Sequence, residues 1–227
     1  MNKNGLFKNY LPMFIFSLIG VCVNALLSKL ILQTELAQSA FLNFGLSLLS
    51  FVLSFFFSLF IQIIAVHAYR EGRSITAASM KDAFNKINWS RALWINFKVG
   101  LFVAIGTLFF VVPGIYLSLS YAFVGFIIYD FSTENDAPSR SWTLTQGYKL
   151  NILGAQFLAT MLVALVSMLV VTITNSYDLG HAVENIGTFL LQPILINYFL
   201  ELYIDSLDRH HIDFNHVNID ETVIIDV

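Results

Sequence analysis

The sequence predicts an all-α membrane protein: a bundle of six transmembrane helices in three hairpins, with interfacial amphipathic helices. Three observations carry that expectation. Of 227 residues, 57% are hydrophobic and only 12% are charged, whereas a soluble domain carries about 45–50% apolar and about 25% charged residues. Apolar runs long enough to cross a bilayer recur along the chain. Lysine and arginine collect in alternate connections between those runs. The 22 phenylalanines, clustered as at Phe55, Phe56 and Phe57, suit side chains that face lipid.

A helix rises about 1.5 Å per residue, so about 30 Å of hydrocarbon takes roughly 20 apolar residues. The first span is expected from about Leu11 to Leu32 and the second from about Phe41 to Val66, with a short polar turn between them. Lys3 and Lys8 give a basic front, but the first apolar run exceeds the roughly 7–15 residues of a signal-peptide core and no cleavage site follows, so it reads as an uncleaved helix.

The third span runs from about Leu93 to Val112 and is stopped by Pro113-Gly114; a short fourth follows from Ile115 to Tyr129 and ends at Asp130. Proline lacks a backbone donor and glycine accepts left-handed geometry, so these two residues mark a hinge. An unpaired backbone group in lipid costs several kcal/mol, which favours a tight interfacial hairpin; the alternative is a broken or re-entrant helix lining a cavity. The fifth span covers about Leu150 to Thr174 and the sixth about Val183 to Tyr203, where Pro193 is expected to kink the helix. Residues 1–208 thus form one membrane domain, and 209–227 a short tail.

Loop charge sets orientation, because Lys and Arg concentrate on the cytoplasmic side. Lys3, Lys8, Arg70, Arg73, Lys81, Lys86, Arg91, Arg140, Lys149 and Arg209 all fall on one side of the predicted membrane. The opposite loops, 33–40, 113–114 and 175–182, hold no Lys or Arg, and Lys29 is the one exception near them. Both termini are therefore expected in the cytoplasm.

Three polar stretches, Asn2 to Asn9, Ser79 to Arg91 and Ala137 to Lys149, each precede a pair of spans. In the second, Met80, Phe84, Ile87 and Arg91 recur at helical spacing; in the third, Ala137, Ser141, Leu144 and Tyr148 do so beside Trp142. Such helices lie in the interface, and Lys81, Lys86, Arg91 and Arg140 are candidate contacts for anionic lipid headgroups, with simple anchorage the plainer reading. Small residues four apart, Ser50, Ser54 and Ser58, then Gly114, Ser118 and Ala122, then Ala155 and Ala159, suit close helix packing, within one chain or in a homo-oligomer.

Ionisable groups inside a span are functional candidates by default. Lys98 lies near the start of span three and Glu201 near the end of span six, where a Lys98–Glu201 ion pair would tie the two spans together; snorkelling to the interface is the simpler reading. The deeper polar residues Asn24, Gln62, Gln156 and Gln192 are uncharged and suit interhelical hydrogen bonds. Asp208, His210, His211, Asp213 and His216 have metal-ligand chemistry but lie in a short tail without fixed geometry. No phosphate loop, His-Glu-x-x-His, Gly-x-Ser-x-Gly or Cys-x-x-Cys occurs, and Cys22 is the only cysteine. No catalytic residue, metal, cofactor or nucleic-acid partner is expected; membrane lipids and another membrane protein are.

Val111-Val112-Pro113-Gly114-Ile115-Tyr116, Tyr129-Asp130, Ala137, Ser139-Arg140-Ser141-Trp142 and Gly147 form a pattern. It resembles the YciC-like proteins, a group of bacterial inner-membrane proteins with no established activity, and the related membrane domain of some glycerophosphoryl diester phosphodiesterases. The likeness covers roughly residues 75–160. It implies a six-helix, multi-pass protein of the bacterial inner membrane. Those phosphodiesterases do their chemistry in a separate soluble barrel, which these 227 residues do not contain, so enzymatic activity is not expected. The expected role is structural, accessory or lipid-organising. The alternative is a small transporter or channel, which would show a polar cavity at mid-membrane.

Overall fold

The computed structural model describes residues 10–33, 40–72, 75–131 and 136–210. The stretch Asn2 to Asn9, the turn between the first two spans and most of the tail lie outside them. The described residues form α1 (Tyr10–Gln33), α2 (Ala40–Glu71), α3 (Ala77–Lys86), α4 (Trp89–Phe109), α5 (Val111–Ser120), α6 (Val124–Asp130), α7 (Ala137–Leu144), α8 (Lys149–Thr174) and α9 (Tyr177–Arg209), with no strand among them. Four helical runs are long and apolar enough to cross a membrane: Trp89–Phe109, Val111–Asp130, Lys149–Thr174 and Leu179–Arg209. The described residues are thus all-helical, and the chain has the makings of a membrane protein.

Helix ends follow from local side chains. Thr76 caps α3 by accepting the Ser79 N–H at 3.2 Å, and the Ser79 hydroxyl accepts the Thr76 N–H at 2.8 Å. The expected helix through Arg91 stops at Lys86, because Asn88 turns its side chain onto the Arg91 N–H (3.3 Å) and starts α4 instead. The Trp89 indole donates back to the Phe84 carbonyl at 2.8 Å and holds the two helices at that corner. At the far end α8 closes on Asn175, which adopts φ 52°, a left-handed conformation that asparagine tolerates, and Ser176 caps α9.

The α4–α5 turn consists of one non-helical residue, Phe110. Its N–H donates to the Gly106 carbonyl (3.0 Å) and its carbonyl accepts the Gly114 N–H (3.2 Å). Helix α5 begins two residues before Pro113, so the proline sits in the first turn, where its missing donor is not needed. Gly114 is required for contact: a Cβ there would lie 2.1 Å from Thr107 Oγ1 and 2.6 Å from Thr107 Cα. Of the small residues on this face, Gly114 is buried, Ala122 half-buried and Ser118 exposed.

The fourth predicted span is not one helix. It breaks at Tyr121–Phe123, and α7 stitches the break. The Ser141 hydroxyl donates to the Ser120 carbonyl (2.8 Å) and accepts the Phe123 N–H (3.2 Å), while Thr145 Oγ1 also reaches the Ser120 carbonyl (3.3 Å). Ser120, Ser141 and Thr145 are fully buried, so these hydroxyls satisfy backbone groups that water does not reach. The i, i+4, i+7 face Ala137, Ser141 and Leu144 turns inward as its spacing predicts, as does Tyr148.

Helix α6, buried from Val124 to Tyr129, packs against α2, α4 and α7; α9 packs against α8, α1 and α2. The core gathers where Leu59 to Ala68 of α2, α6, and Ile196 to Leu207 of α9 meet. Away from it, α8 buries only Ile152 and Val163 and leaves Leu, Met and Phe side chains exposed along its length, the reverse of a water-soluble helix. Pro193 is buried inside α9, which continues through it.

Candidate functional site

The polar chemistry of the described residues concentrates at the end of the bundle that carries Arg70, Lys86, Arg140 and Lys149, here called the basic end. Arg70 stands in the last turn of α2 and Asp130 at the last residue of α6. The Arg70 guanidinium meets the carboxylate in a two-pronged pair, Nε to Oδ1 at 3.0 Å and Nη2 to Oδ2 at 2.6 Å. Tyr203 of α9 donates its hydroxyl to Asp130 Oδ2 at 2.8 Å. The Asp130 side chain is 4% exposed and Tyr203 is fully buried. One carboxylate thus joins three helices distant in sequence. Gly125 lets α6 approach α2: a Cβ there would lie 2.1 Å from Gln62 Oε1.

Beside this pair Tyr129 links His67 of α2 with Lys86 of α3. Its hydroxyl lies 2.7 Å from His67 Nδ1 and accepts from Lys86 Nζ at 3.1 Å, with the ammonium also 4.4 Å from the ring centre. An ammonium can only donate, so the Tyr129 hydroxyl accepts from Lys86, and it meets His67 Nδ1 with its own proton or its other lone pair according to the imidazole tautomer. Between α2 and α3 an open cleft of about 450 Å³ has His67, Glu71, Thr76, Ser79 and Asp82 on its walls. Thr76 and Ser79 are already engaged in capping α3.

A third polar contact joins α8 to α9. Tyr148 donates its hydroxyl to Asp205 Oδ2, and Arg209 holds Asp205 (3.1 Å) while lying 4.6 Å from the Tyr148 ring centre. Burial, then the hydrogen bond to the Asp205 carboxylate, pushes the Tyr148 hydroxyl up to about 12.

The residues singled out from sequence are distributed differently. Lys98 lies 5.2 Å from the centre of its own helix's Trp94 ring, and Glu201 is exposed; no ion pair joins them among the described residues. Arg140 stacks on Phe131 at 4.5 Å, and Lys81 is exposed on α3. Arg91 borders a small void of about 10 Å³ with Ile87, Ile95 and Phe131. Gln62 and Gln192 are half-buried and Gln156 is exposed, and neither cavity is lined by any of them. His210 bonds the Ser206 carbonyl through Nδ1 (2.8 Å), while His211, Asp213 and His216 lie outside the described residues. Among the described residues no three His, Cys, Asp or Glu side chains form a metal cluster.

Sequence reasoning missed the Arg70–Asp130–Tyr203 and His67–Tyr129–Lys86 groups. The available signal was an acid and a base each closing a long apolar run, Asp130 after α6 and Arg70 near the end of α2. Comparison of the chain with family models, curated proteins and solved structures finds no match, so the likeness to the YciC-like group rests on the residues quoted above.

Proposed function

We propose that the chain is a six-span protein of the bacterial inner membrane, with both termini cytoplasmic, that performs no chemistry of its own and organises anionic lipid at its basic end. Helices α1 and α2, of 24 and 32 residues, would add two crossings to the four runs described above. The observation that carries the lipid role is a belt of ammonium groups set over aromatic rings. Lys86 lies over Tyr129 (4.4 Å), Lys98 over Trp94 (5.2 Å), and Lys149 over Tyr116 (3.7 Å) and Trp142 (4.5 Å). Neither these three nor Lys81 meets a carboxylate among the described residues. A ring face orients an ammonium without neutralising it, so the belt keeps its charge for a phosphate headgroup. The cleft opens at the surface of the basic end rather than at mid-membrane, which favours this role over transport.

The test is reconstitution into nanodiscs of phosphatidylcholine alone or with 30% phosphatidylglycerol. The anionic lipid is expected to raise the unfolding temperature and to co-purify with the protein. Replacing Lys81, Lys86 and Lys149 together by Gln should abolish both effects. Equal stability and equal lipid retention in the two membranes would refute the proposal.

A further inference from the structure

The α4–α5 hairpin and the α8–α9 hairpin turn on the same side of the bundle, yet their tips differ in chemistry and in reach. From Leu108 to Ile115 no polar side chain occurs, and the tip is bare: Leu108 is 83% exposed, Phe109 and Phe110 71% each, and Val112 77%. The α8–α9 turn is instead Asn175, Ser176, Tyr177 and Asp178. A turn facing water is ordinarily built from residues of the second kind.

Reach points the same way. The Lys149 ammonium, at the start of α8, lies 3.7 Å from the Tyr116 ring centre in α5. Even with that lysine fully extended and α5 aligned with α8, the turn at Phe110 comes no more than about 23 Å along α8, against about 38 Å for Thr174. Glu184 of α9 lies opposite the stretch from Val163 to Val171, because Gly187 abuts Val163 and Gly180 abuts Val171 and Ser167. That stretch is about 21–33 Å along α8. The apolar tip therefore stops at or below the level of Glu184, beside the lipid-facing length of α8.

The backbone cost of such a place is confined to two donors. Phe110 is paired through both its N–H and its carbonyl, Pro113 has no N–H, and the donors left without a partner are those of Val111 and Val112.

We infer that the α4–α5 hairpin turns inside the membrane and that lipid acyl chains cover its tip, so that residues 108–113 do not reach the aqueous face; of the six membrane helices, α4 and the α5–α6 run then enter from the basic side and return to it. The inference rests on the membrane placement proposed above and not on the lipid-headgroup role.

The test uses the full chain with Cys22→Ser and one added cysteine, Val112→Cys, Ser176→Cys or Leu165→Cys, labelled with an environment-sensitive fluorophore and reconstituted into liposomes. The label at 112 is expected to emit to the blue of that at 176, to be quenched by chain-labelled lipid, and to show at least fivefold weaker iodide quenching. Iodide quenching at 112 equal to that at 176 overturns the inference, and so does a label at 112 that neither quencher reaches, which would mean a protein cover. If Leu165→Cys on exposed α8 is also open to iodide, the membrane placement itself fails, a different result. Should Val112→Cys not reconstitute, Leu108→Cys gives the same readout.

Discussion

Replacing Asp130 by Ala removes the acceptor of three hydrogen bonds, two from Arg70 and one from Tyr203. The variant keeps a guanidinium without its carboxylate and a buried phenol without an acceptor. Breaking a buried ion pair from one side costs about 3–5 kcal/mol, and an unsatisfied buried hydroxyl about 1–3 kcal/mol. The Arg70 side chain is 26% exposed and keeps some water, so the lower part of these ranges applies, about 3 kcal/mol in all. For a chain of this size that corresponds to a fall of roughly 6–12 °C in Tm. The assay is thermal unfolding of purified protein in mild detergent, followed by tryptophan fluorescence. The double variant Asp130→Ala with Arg70→Met should lose less than the sum of the two single variants, because both remove the same pair. A single variant within 1 °C of the parent, or losses that add in full in the double variant, would refute the assignment of Asp130 as the joint between α2, α6 and α9.

Gly114→Val should force α4 and α5 apart, since its Cβ would start 2.1 Å from Thr107 Oγ1; a loss of about 1–3 kcal/mol is expected by the same unfolding assay. Ser141→Ala leaves the Phe123 N–H without its acceptor and the Ser120 carbonyl with Thr145 only, so a loss of about 1–3 kcal/mol should follow, whereas exposed Ser139→Ala should change nothing measurable. Tyr148 holds its proton more tightly folded, about 12, than the usual 10, so its stabilisation is complete below pH 10 and falls as pH rises from 10 to 12. Tyr148→Phe should therefore lose stability at pH 8 and show a shallower decline across that window, measured by denaturant titration at each pH.

The helical architecture was legible in the sequence because apolar runs and their stops are local properties. Pro113-Gly114 signalled a nearby end of one run, although the chain turns earlier, at Phe110, and both residues lie inside α5; Asp130 ended another, and the period of Ala137, Ser141 and Leu144 named the buried face of α7. The break at Tyr121–Phe123 was not legible. Nothing in Leu117 to Val124 disfavours a continuous helix, and the break exists because two hydroxyls 21 and 25 residues downstream offer the Ser120 carbonyl another partner. Likewise Arg70 counted only as loop charge, since its partner lies 60 residues away and the third member, Tyr203, 73 beyond Asp130. Lys98 and Glu201 drew notice as charges inside apolar runs, but the Trp94 ring four residues before Lys98 gave it a nearer neighbour. Side-chain identity reveals which groups need partners; only the packing decides which partner is reached.

The stitched break in the α5–α6 run has a consequence for how the chain is made. Residues 111–130 leave the ribosome before Ser141 and Thr145 exist, so the Ser120 carbonyl and the Phe123 N–H enter the membrane with neither final partner. Until then the run is best accommodated as one unbroken helix, or held beside the insertion machinery where water is at hand. The bend at Tyr121–Phe123 can form only after α7 has been synthesised, and Asp130 is not closed over until α9 delivers Tyr203 near the end of translation. The basic end is therefore the last part of the molecule to assemble, and a nascent chain arrested before residue 141 should hold a straighter fourth helix than the finished protein.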